Sequence, residues 1–278
     1  MTIKYDLKLI LILKIGLNQK DFSNLIAELI KMKNFSVPVL ILLFFLTACS
    51  QKIYQVQQAD YQENISISNQ LEADETVVAL IAPYKRELQE TMDKVISYTP
   101  IALHRDGYNS PLANLNCDMV LEEANLIYQK KHNQKIDLCV LNWGGIRRTF
   151  TAGDLTVRNV FELMPFENEV VVVTLSGDKI PEMMHFLSNA SVGHPLSGIQ
   201  FVSNDESSIL INGEKLDKNK NYTIVTNDFL QKGGDQMSFF ENPVSAENLG
   251  IKQRDLMMNY FGKHDTIRVN LEKRILDK

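Results

Sequence analysis

The chain has 278 residues, of which 45% are hydrophobic and 23% are charged. This composition is ordinary for a folded globular protein and excludes a chain that is mainly disordered. The formal net charge of −5 excludes general binding to the nucleic-acid backbone, which depends on basic patches, but it leaves room for a local cationic pocket.

The amino-terminal segment has the features of an export signal. From Met32, a lysine is followed by an apolar run over residues 37–46, shorter than the roughly 20 residues of a membrane-spanning helix. The run ends in Leu-Thr-Ala-Cys49, which resembles the lipobox of bacterial lipoproteins. We therefore expect residues 1–48 to hold an extension and a signal peptide, with translation starting at Met32. A buried core helix and a membrane-surface extension are the alternatives.

This interpretation predicts a lipoprotein of the bacterial cell envelope, anchored in a membrane through lipidated Cys49. Residues 49–70 are polar and rich in glutamine, and they predict a tether. Apolar residues at helical spacing over residues 77–96 then predict a helix of about five turns that ends before Pro100. Ser110 followed by Pro111 predicts the start of a second helix, because serine caps helices and proline suits their first turn.

The next apolar run, residues 136–141, predicts a buried strand. A further strand is predicted over residues 169–175, and a helix follows from about 178 to 187. Asn212-Gly213 predicts the turn of a hairpin. The pattern also predicts a last helix over residues 248–260 and a strand in TIRVNL, residues 266–271. This irregular alternation predicts one mixed α/β domain over residues 71–278, with layered mixed sheets flanked by helices.

The stretch NWGGIRRTF directly follows the predicted strand 136–141. The glycine pair Gly144-Gly145 lets the backbone turn tightly and approach a ligand closely. Arg147 offers a planar set of donors suited to phosphate or carboxylate, and Asn142 can both donate and accept. Taken alone the stretch is a weak signal, since glycine pairs at strand ends are usually plain turns.

Two aromatic residues in strand-end loops strengthen this signal. Phe166 precedes one predicted strand, and Phe229 follows another, shortly before Gly233-Gly234 and Asp235. One such aromatic usually packs locally, but two can sandwich a flat base, and stacking is worth roughly 1–3 kcal/mol per base. A nearby carboxylate is the usual partner of ribose hydroxyls. The three loops together therefore favour a nucleoside pocket.

Four stretches resemble, in order and spacing, the C-terminal domain of the 5′-nucleotidase family: SPLANLNCD, NWGGIRRTFTAGDLTVRNVFELMPFENEVVVVTLSGDKI, LSGIQF and YTIVTNDFLQKGGDQMSFF. The resemblance runs from about residue 74 to 270 and implies a layered α/β fold that binds the nucleoside part of a substrate in nucleotide catabolism. It implies base, ribose or phosphate contacts, aromatic stacking and a ribose-binding carboxylate. The substrate-binding residues that it implies are Asn142, Arg147, Phe166, Asn168, Gly198, Phe229 and Asp235.

The sequence departs from the family pattern at several positions. Trp143 and Glu167 stand where small residues are common, and Gln236 stands where glycine is common. An arginine that many members carry before the SPLANL helix is not matched, because His104 and Arg105 lie out of register. These departures affect the affinity or base preference that the resemblance implies.

Full-length members of this family, a family of hydrolases, cleave phosphate esters in an N-terminal domain that holds two metal ions in D-x-H, G-N-H-E and G-H-x-H motifs. No histidine of this chain stands in such a motif, and no G-x-S-x-G, Walker or G-x-G-x-x-G motif is present. We therefore expect no catalytic residue, no metal and no cofactor in this chain, and divalent metals only in a partner. The histidines in question are His104, His132, His185, His194 and His264.

Two hypotheses follow from the sequence. In the first, the chain is half of a split nucleotidase, and it presents a nucleoside or nucleotide to a separate metallophosphatase chain. In the second, it is a non-catalytic, lipid-anchored module that binds nucleosides or serves as a structural partner. Neither hypothesis involves nucleic acid.

Overall fold

The computed structural model describes residues 71–278 and the single residues Asn24, Asn64 and Ser66. The fold below is that of residues 72–278, which form one compact unit. The predicted signal peptide, the start at Met32, the lipidated Cys49 and almost all of the tether lie outside the described residues.

The helices and strands alternate irregularly along this unit. The helices are α1 Glu75–Met92, α2 Pro111–His132, α3 Val157–Leu163, α4 Ile180–Asn189, α5 Asp228–Gln231 and α6 Gln253–Lys263. The strands are β1 Val95–Thr99, β2 Leu138–Val140, β3 Gly153–Thr156, β4 Glu169–Ser176, β5 Leu196–Ser197, β6 Ile199–Val202, β7 Asp205–Ile211, β8 Glu214–Lys215, β9 Asn221–Asn227 and β10 Ser245–Lys252.

The central sheet has five strands in the order β10-β4-β9-β2-β5. Strands β2 and β9 are parallel, and the other neighbours in this sheet are antiparallel. One face of the sheet packs against α4 and the three-stranded sheet β6-β7-β8, and the other face packs against α2 and α6. A further core joins α2, α3 and α6 near the two-stranded sheet β1-β3. The predicted layered, mixed α/β fold is confirmed.

Local signals define several element ends where we expected them. The Ser110 hydroxyl accepts a hydrogen bond from the Ala113 N–H and caps α2, with Pro111 in the first turn. Asn212 and Gly213 have positive φ of 52° and 82° and join β7 to β8 in the predicted hairpin.

Three predicted elements differ from the structure. Helix α1 ends at Met92, and the following residues form β1, which pairs with β3. The last helix begins at Gln253, because residues 245–252 form the edge strand β10 beside β4. Residues 266–271 form no strand, and Thr266 makes only an isolated bridge to Tyr98. In the first two cases the strand partner lies far away in the chain, so helical spacing alone misassigned the residues.

Candidate functional site

The topology of the central sheet brings three loops to one edge. Strands β2 and β9 are parallel, so their carboxyl ends meet at the same edge. Strand β4 is antiparallel to β9 and begins at that edge, with Val170 paired to Asn227. The loops after β2, after β9 and before β4 therefore lie side by side, although they are far apart in the sequence. Ligands of open α/β sheets commonly bind outside the carboxyl ends of such strands.

Asn142 and Asp235 form the centre of this edge. Asn142 is 7% exposed, and its Nδ2 donates a hydrogen bond of 2.6 Å to Oδ2 of Asp235. A Cβ on Gly144 would lie 3.5 Å from each of these two side chains, and a Cβ on Gly145 would lie 3.0 Å from Oδ1 of Asn142. The glycine pair therefore lets a 3₁₀ turn pass close beside the Asn142 amide.

The loop that carries Asp235 has an unusual backbone. Gly233 has φ of +83°, and the non-glycine residues Asp235 and Gln236 have φ of +50° and +63°. Two successive side-chain-bearing residues in the left-handed region are strained, and such strain is concentrated at functional sites. A Cβ on Gly234 would come within 2.6 Å of the Phe229 ring, so this glycine lets the ring lie against the turn.

The two predicted stacking residues remain on the surface at this edge. Phe166 is 37% exposed and Phe229 is 44% exposed, which is high for phenylalanine side chains. The Arg147 guanidinium carbon lies 5.5 Å from the centre of the Phe166 ring. The Glu169 N–H donates to Oδ1 of Asp228 at 3.1 Å and so connects the two loops that carry the rings.

The two remaining predicted residues, Asn168 and Gly198, differ in their position relative to this sheet edge. The backbone oxygen of Asn168 accepts from the Gln253 N–H at 2.9 Å, so this residue is held at the same edge. Gly198 lies opposite Leu138, at the other end of β2 from Asn142, and a Cβ there would meet the Asp137 oxygen at 2.3 Å. The structure therefore does not bring Gly198 to the other predicted residues, and its need for glycine comes from packing against β2.

Arg254 is a residue of this edge that the sequence did not reveal. It is 6% exposed and donates from Nη1 to the backbone oxygens of Met164 and Phe166, at 3.4 and 3.2 Å. It also pairs with the Glu167 carboxylate, which pairs with Lys252 as well. Hydrogen bonds from Lys252 and Arg254 lower the pKa of Glu167 to about 2. The start of α6 thus holds the Phe166 loop from a position about 90 residues away in the chain.

A second group of unpredicted contacts surrounds Trp143. The Trp143 N–H donates to Nδ1 of His194 at 3.3 Å, and the Trp143 Nε1 donates to the Arg105 backbone oxygen at 3.2 Å. The Arg105 guanidinium lies 3.9 Å from the Trp143 ring centre and donates to the Ile146 oxygen. Burial lowers the pKa of His194, and the charge of Asp235 opposes this shift. Trp143, which departs from the pattern of the resembled family, therefore contacts Arg105, which lies out of register with the upstream arginine of that pattern.

The described residues 71–278 contain no group of three or more His, Cys, Asp or Glu side chains arranged to hold a metal ion. In the same range, no helix combines the length and the apolarity required to cross a membrane. The edge thus offers amide, carboxylate, guanidinium and aromatic groups, a set suited to binding.

Comparison with known proteins identifies the same domain family that the sequence motifs resemble. The family model described as "5′-nucleotidase, C-terminal domain" matches residues 91–242. The chain belongs to this family. The chain is 23% identical over 220 residues to Protein UshA of Yersinia enterocolitica, covering 77% of this chain and 39% of that protein. It is 30% identical over 202 residues to the trifunctional nucleotide phosphoesterase YfkN of Bacillus subtilis, covering 65% of this chain and 13% of that one.

Solved structures agree on the fold. A 5′-nucleotidase precursor from Thermus thermophilus aligns with a TM-score of 0.56 and 23% identity, over 72% of this chain and 42% of its own. The chain thus spans about 40% of the length of UshA and less of YfkN. Because residues 75–278 make up only about 73% of the chain, a match over 77% must begin before helix α1. The domain that resembles UshA therefore includes α1.

Proposed function

We propose that this 5′-nucleotidase C-terminal domain binds the nucleoside part of a nucleotide at the edge formed by Asn142, Phe166, Phe229 and Asp235. One observation carries the proposal: a hydrogen-bonded amide and carboxylate lie at the same sheet edge as two exposed phenylalanine rings. The sequence resemblance had implied each of these residues separately, and the sheet topology supports their acting together.

The chemistry of these groups suits a nucleoside. Oδ2 of Asp235 accepts from Asn142, so Oδ1 is available to accept from a ribose hydroxyl. Phe166 and Phe229 offer flat apolar faces to a base. Arg147 offers a planar set of donors to phosphate, next to the Phe166 ring. In this proposal the domain binds and orients a nucleotide, and it donates no group to bond cleavage.

We further propose that cleavage of the phosphate ester occurs on a separate metallophosphatase chain. The matched relatives are much longer than this domain, and the described residues hold no metal-ligand group. Divalent metal ions bound to such a partner would polarise the phosphate and activate water. Asn142, Phe166, Phe229 and Asp235 would hold the nucleoside while this occurs.

A lipid anchor at Cys49 and a place in the bacterial cell envelope belong to the same proposal. The support is the signal-peptide-like segment that ends in Leu-Thr-Ala-Cys49. Metabolic labelling with a fatty-acid analogue should mark the wild-type chain and leave Cys49→Ser unmarked. Labelling of Cys49→Ser to the wild-type level would refute the anchor.

The binding proposal is tested by calorimetry with adenosine and AMP. The wild-type chain should bind, and Phe229→Ala and Asp235→Ala should each weaken binding by about tenfold or more, since stacking and charged hydrogen bonds are each worth about 1–3 kcal/mol. Asp178→Ala is the matched control, because this exposed aspartate lies beyond the opposite end of β4. No binding by the wild type, or equal binding by all variants, would refute the site.

The proposal that binding and cleavage occur on separate chains is tested by a phosphatase assay with AMP and added Mn²⁺ or Zn²⁺. We expect no hydrolysis by the purified chain and hydrolysis once a metallophosphatase chain from the same organism is added. Robust, metal-dependent hydrolysis by the purified chain alone would contradict this part of the proposal.

A further inference from the structure

Helix α1 presents a large apolar surface to solvent. None of its residues is buried, although the helix is 18 residues long and well defined at both ends. The Asp74 carboxylate caps its first turn, and Asp93, which follows it, pairs with Arg158. Its exposed apolar side chains are Val77 (52% exposed), Val78 (47%), Leu80 (71%), Ile81 (49%), Tyr84 (72%) and Leu88 (55%).

These six side chains share one side of the helix. At about 100° per residue they fall within an arc of about 160°, and Ala79, Pro83, Arg86 and Glu90 lie on the opposite side. An arc this wide is typical of a helix that faces the core of a globular domain, whereas a coiled-coil seam is a narrower stripe. Contiguous exposed apolar surface of this kind marks an interaction site.

The charges of α1 do not suit a lipid surface. Helices that lie on membranes carry mainly lysine and arginine on their polar side. Here Lys85, which lies within the apolar arc, and Arg86 are outnumbered by Glu75, Glu87 and Glu90. A globular protein partner therefore fits this surface better than a membrane or a paired second copy of α1.

The similarity of this chain to longer proteins indicates which protein would dock on this surface. This domain is the C-terminal part of longer 5′-nucleotidases, and its match to UshA begins before α1. In such relatives the rest of the chain therefore continues from the amino-terminal side of the segment equivalent to α1. In the described part of this chain, the apolar side of α1 is exposed at the corresponding place.

We propose that the apolar side of α1, centred on Leu80, Tyr84 and Leu88, is the docking surface for the separate metallophosphatase chain. This inference rests on the proposed function and adds the site of contact to it. Docking here leaves the Asn142–Asp235 edge, which is formed by other elements, to the nucleoside.

The first test places a photo-crosslinking amino acid at position 84 of the full chain in cells of the source organism. The control carries the same amino acid at position 86, on the opposite side of α1. Mass spectrometry should identify an adduct from position 84, absent from position 86, with a protein that carries the D-x-H, G-N-H-E and G-H-x-H motifs. No adduct, or adducts only with lipid, a second copy, residues 1–70 or an unrelated protein, would overturn the proposal.

The second test uses that crosslinked protein in purified form. Leu80→Glu combined with Leu88→Glu should weaken its binding to the full chain by at least about tenfold, because both charges would be buried on docking. Val244→Glu, at a residue 63% exposed outside α1, is the matched control and should bind as wild type. Unchanged binding of the double variant would overturn the proposal.

Adenosine calorimetry separates this inference from the proposed function. The double variant should keep wild-type adenosine affinity, and Asp235→Ala should lose adenosine affinity while still binding the partner. If the wild type binds the partner through α1 but binds no adenosine, the nucleoside site is refuted and the docking surface stands. If the wild type binds adenosine but does not contact the partner through α1, the docking surface is refuted and the nucleoside site stands.

Discussion

The Asn142 amide donates a 2.6 Å hydrogen bond to the Asp235 carboxylate, 93 residues further along the chain. Asn142 is almost fully buried, and Asp235 is exposed on a strained turn. The buried partner therefore orients the exposed one before any ligand arrives. Orientation in advance lowers the entropic cost of binding.

A double-mutant cycle tests this pairing. Asn142→Ala should weaken adenosine binding by about tenfold, because it removes a charge-assisted hydrogen bond worth about 1.5–3 kcal/mol. The double variant Asn142→Ala with Asp235→Ala should lose less affinity than the sum of the two single losses, since the effects of substitutions at contacting residues are not additive. Asn221→Ala, exposed at the other end of β9, is the calorimetric control. Fully additive losses would contradict the coupling.

The backbone of residue 236 gives a prediction about stability. Gln236 has φ of +63°, a conformation that glycine adopts without strain. Gln236→Gly should therefore raise the free energy of unfolding by about 1 kcal/mol, whereas Gln236→Ala should not, since alanine also has a Cβ. Urea denaturation measures both. Equal destabilisation by the two substitutions would show that the side chain of Gln236, and not its backbone, determines stability here.

The contacts of Arg254 predict an effect on both stability and binding. Arg254→Met removes the donors to the Met164 and Phe166 oxygens and should lower the free energy of unfolding by about 2 kcal/mol. Adenosine affinity should fall as well, because the Phe166 loop loses its attachment. Lys252→Met, which removes only an exposed ion pair to Glu167, is the matched control and should have a small effect. Equal effects of the two variants in urea denaturation and calorimetry would contradict this role for Arg254.

His194 predicts a pH dependence of stability. Burial lowers its pKa in the folded chain, so the unfolded chain takes up this proton at a higher pH than the folded chain does. The free energy of unfolding should therefore fall as the pH decreases below about 6.5. His194→Asn keeps an acceptor for the Trp143 N–H and should reduce this slope. Denaturation from pH 7.5 to 5 checks it, and a slope in His194→Asn equal to that of the wild type would contradict this role of His194.

The sequence predicted the elements whose signals are local. The cap at Ser110 and the turn at Asn212-Gly213 depend on neighbouring residues, and the structure places both as expected. The end of α1 and the start of α6 were mispredicted, because strands β1 and β10 exist only through pairing with β3 and β4. Backbone pairing with a distant strand leaves little trace in local spacing.

In the candidate site, too, some features could be predicted from local sequence and others depend on the tertiary structure. The motifs by themselves determined the family, the mixed α/β class and the residue types of the site. Glycine pairs, aromatic residues and a carboxylate at predicted strand ends can be recognised in the sequence without the structure. Only the tertiary structure decided which of these residues meet. The parallel pairing of β2 and β9 joins Asn142 to Asp235 and leaves Gly198 at the far end of β2. The buried contacts of Arg254 and the exposure of the apolar side of α1 were also decided there, because burial and contact depend on the packing of segments that are distant in the chain.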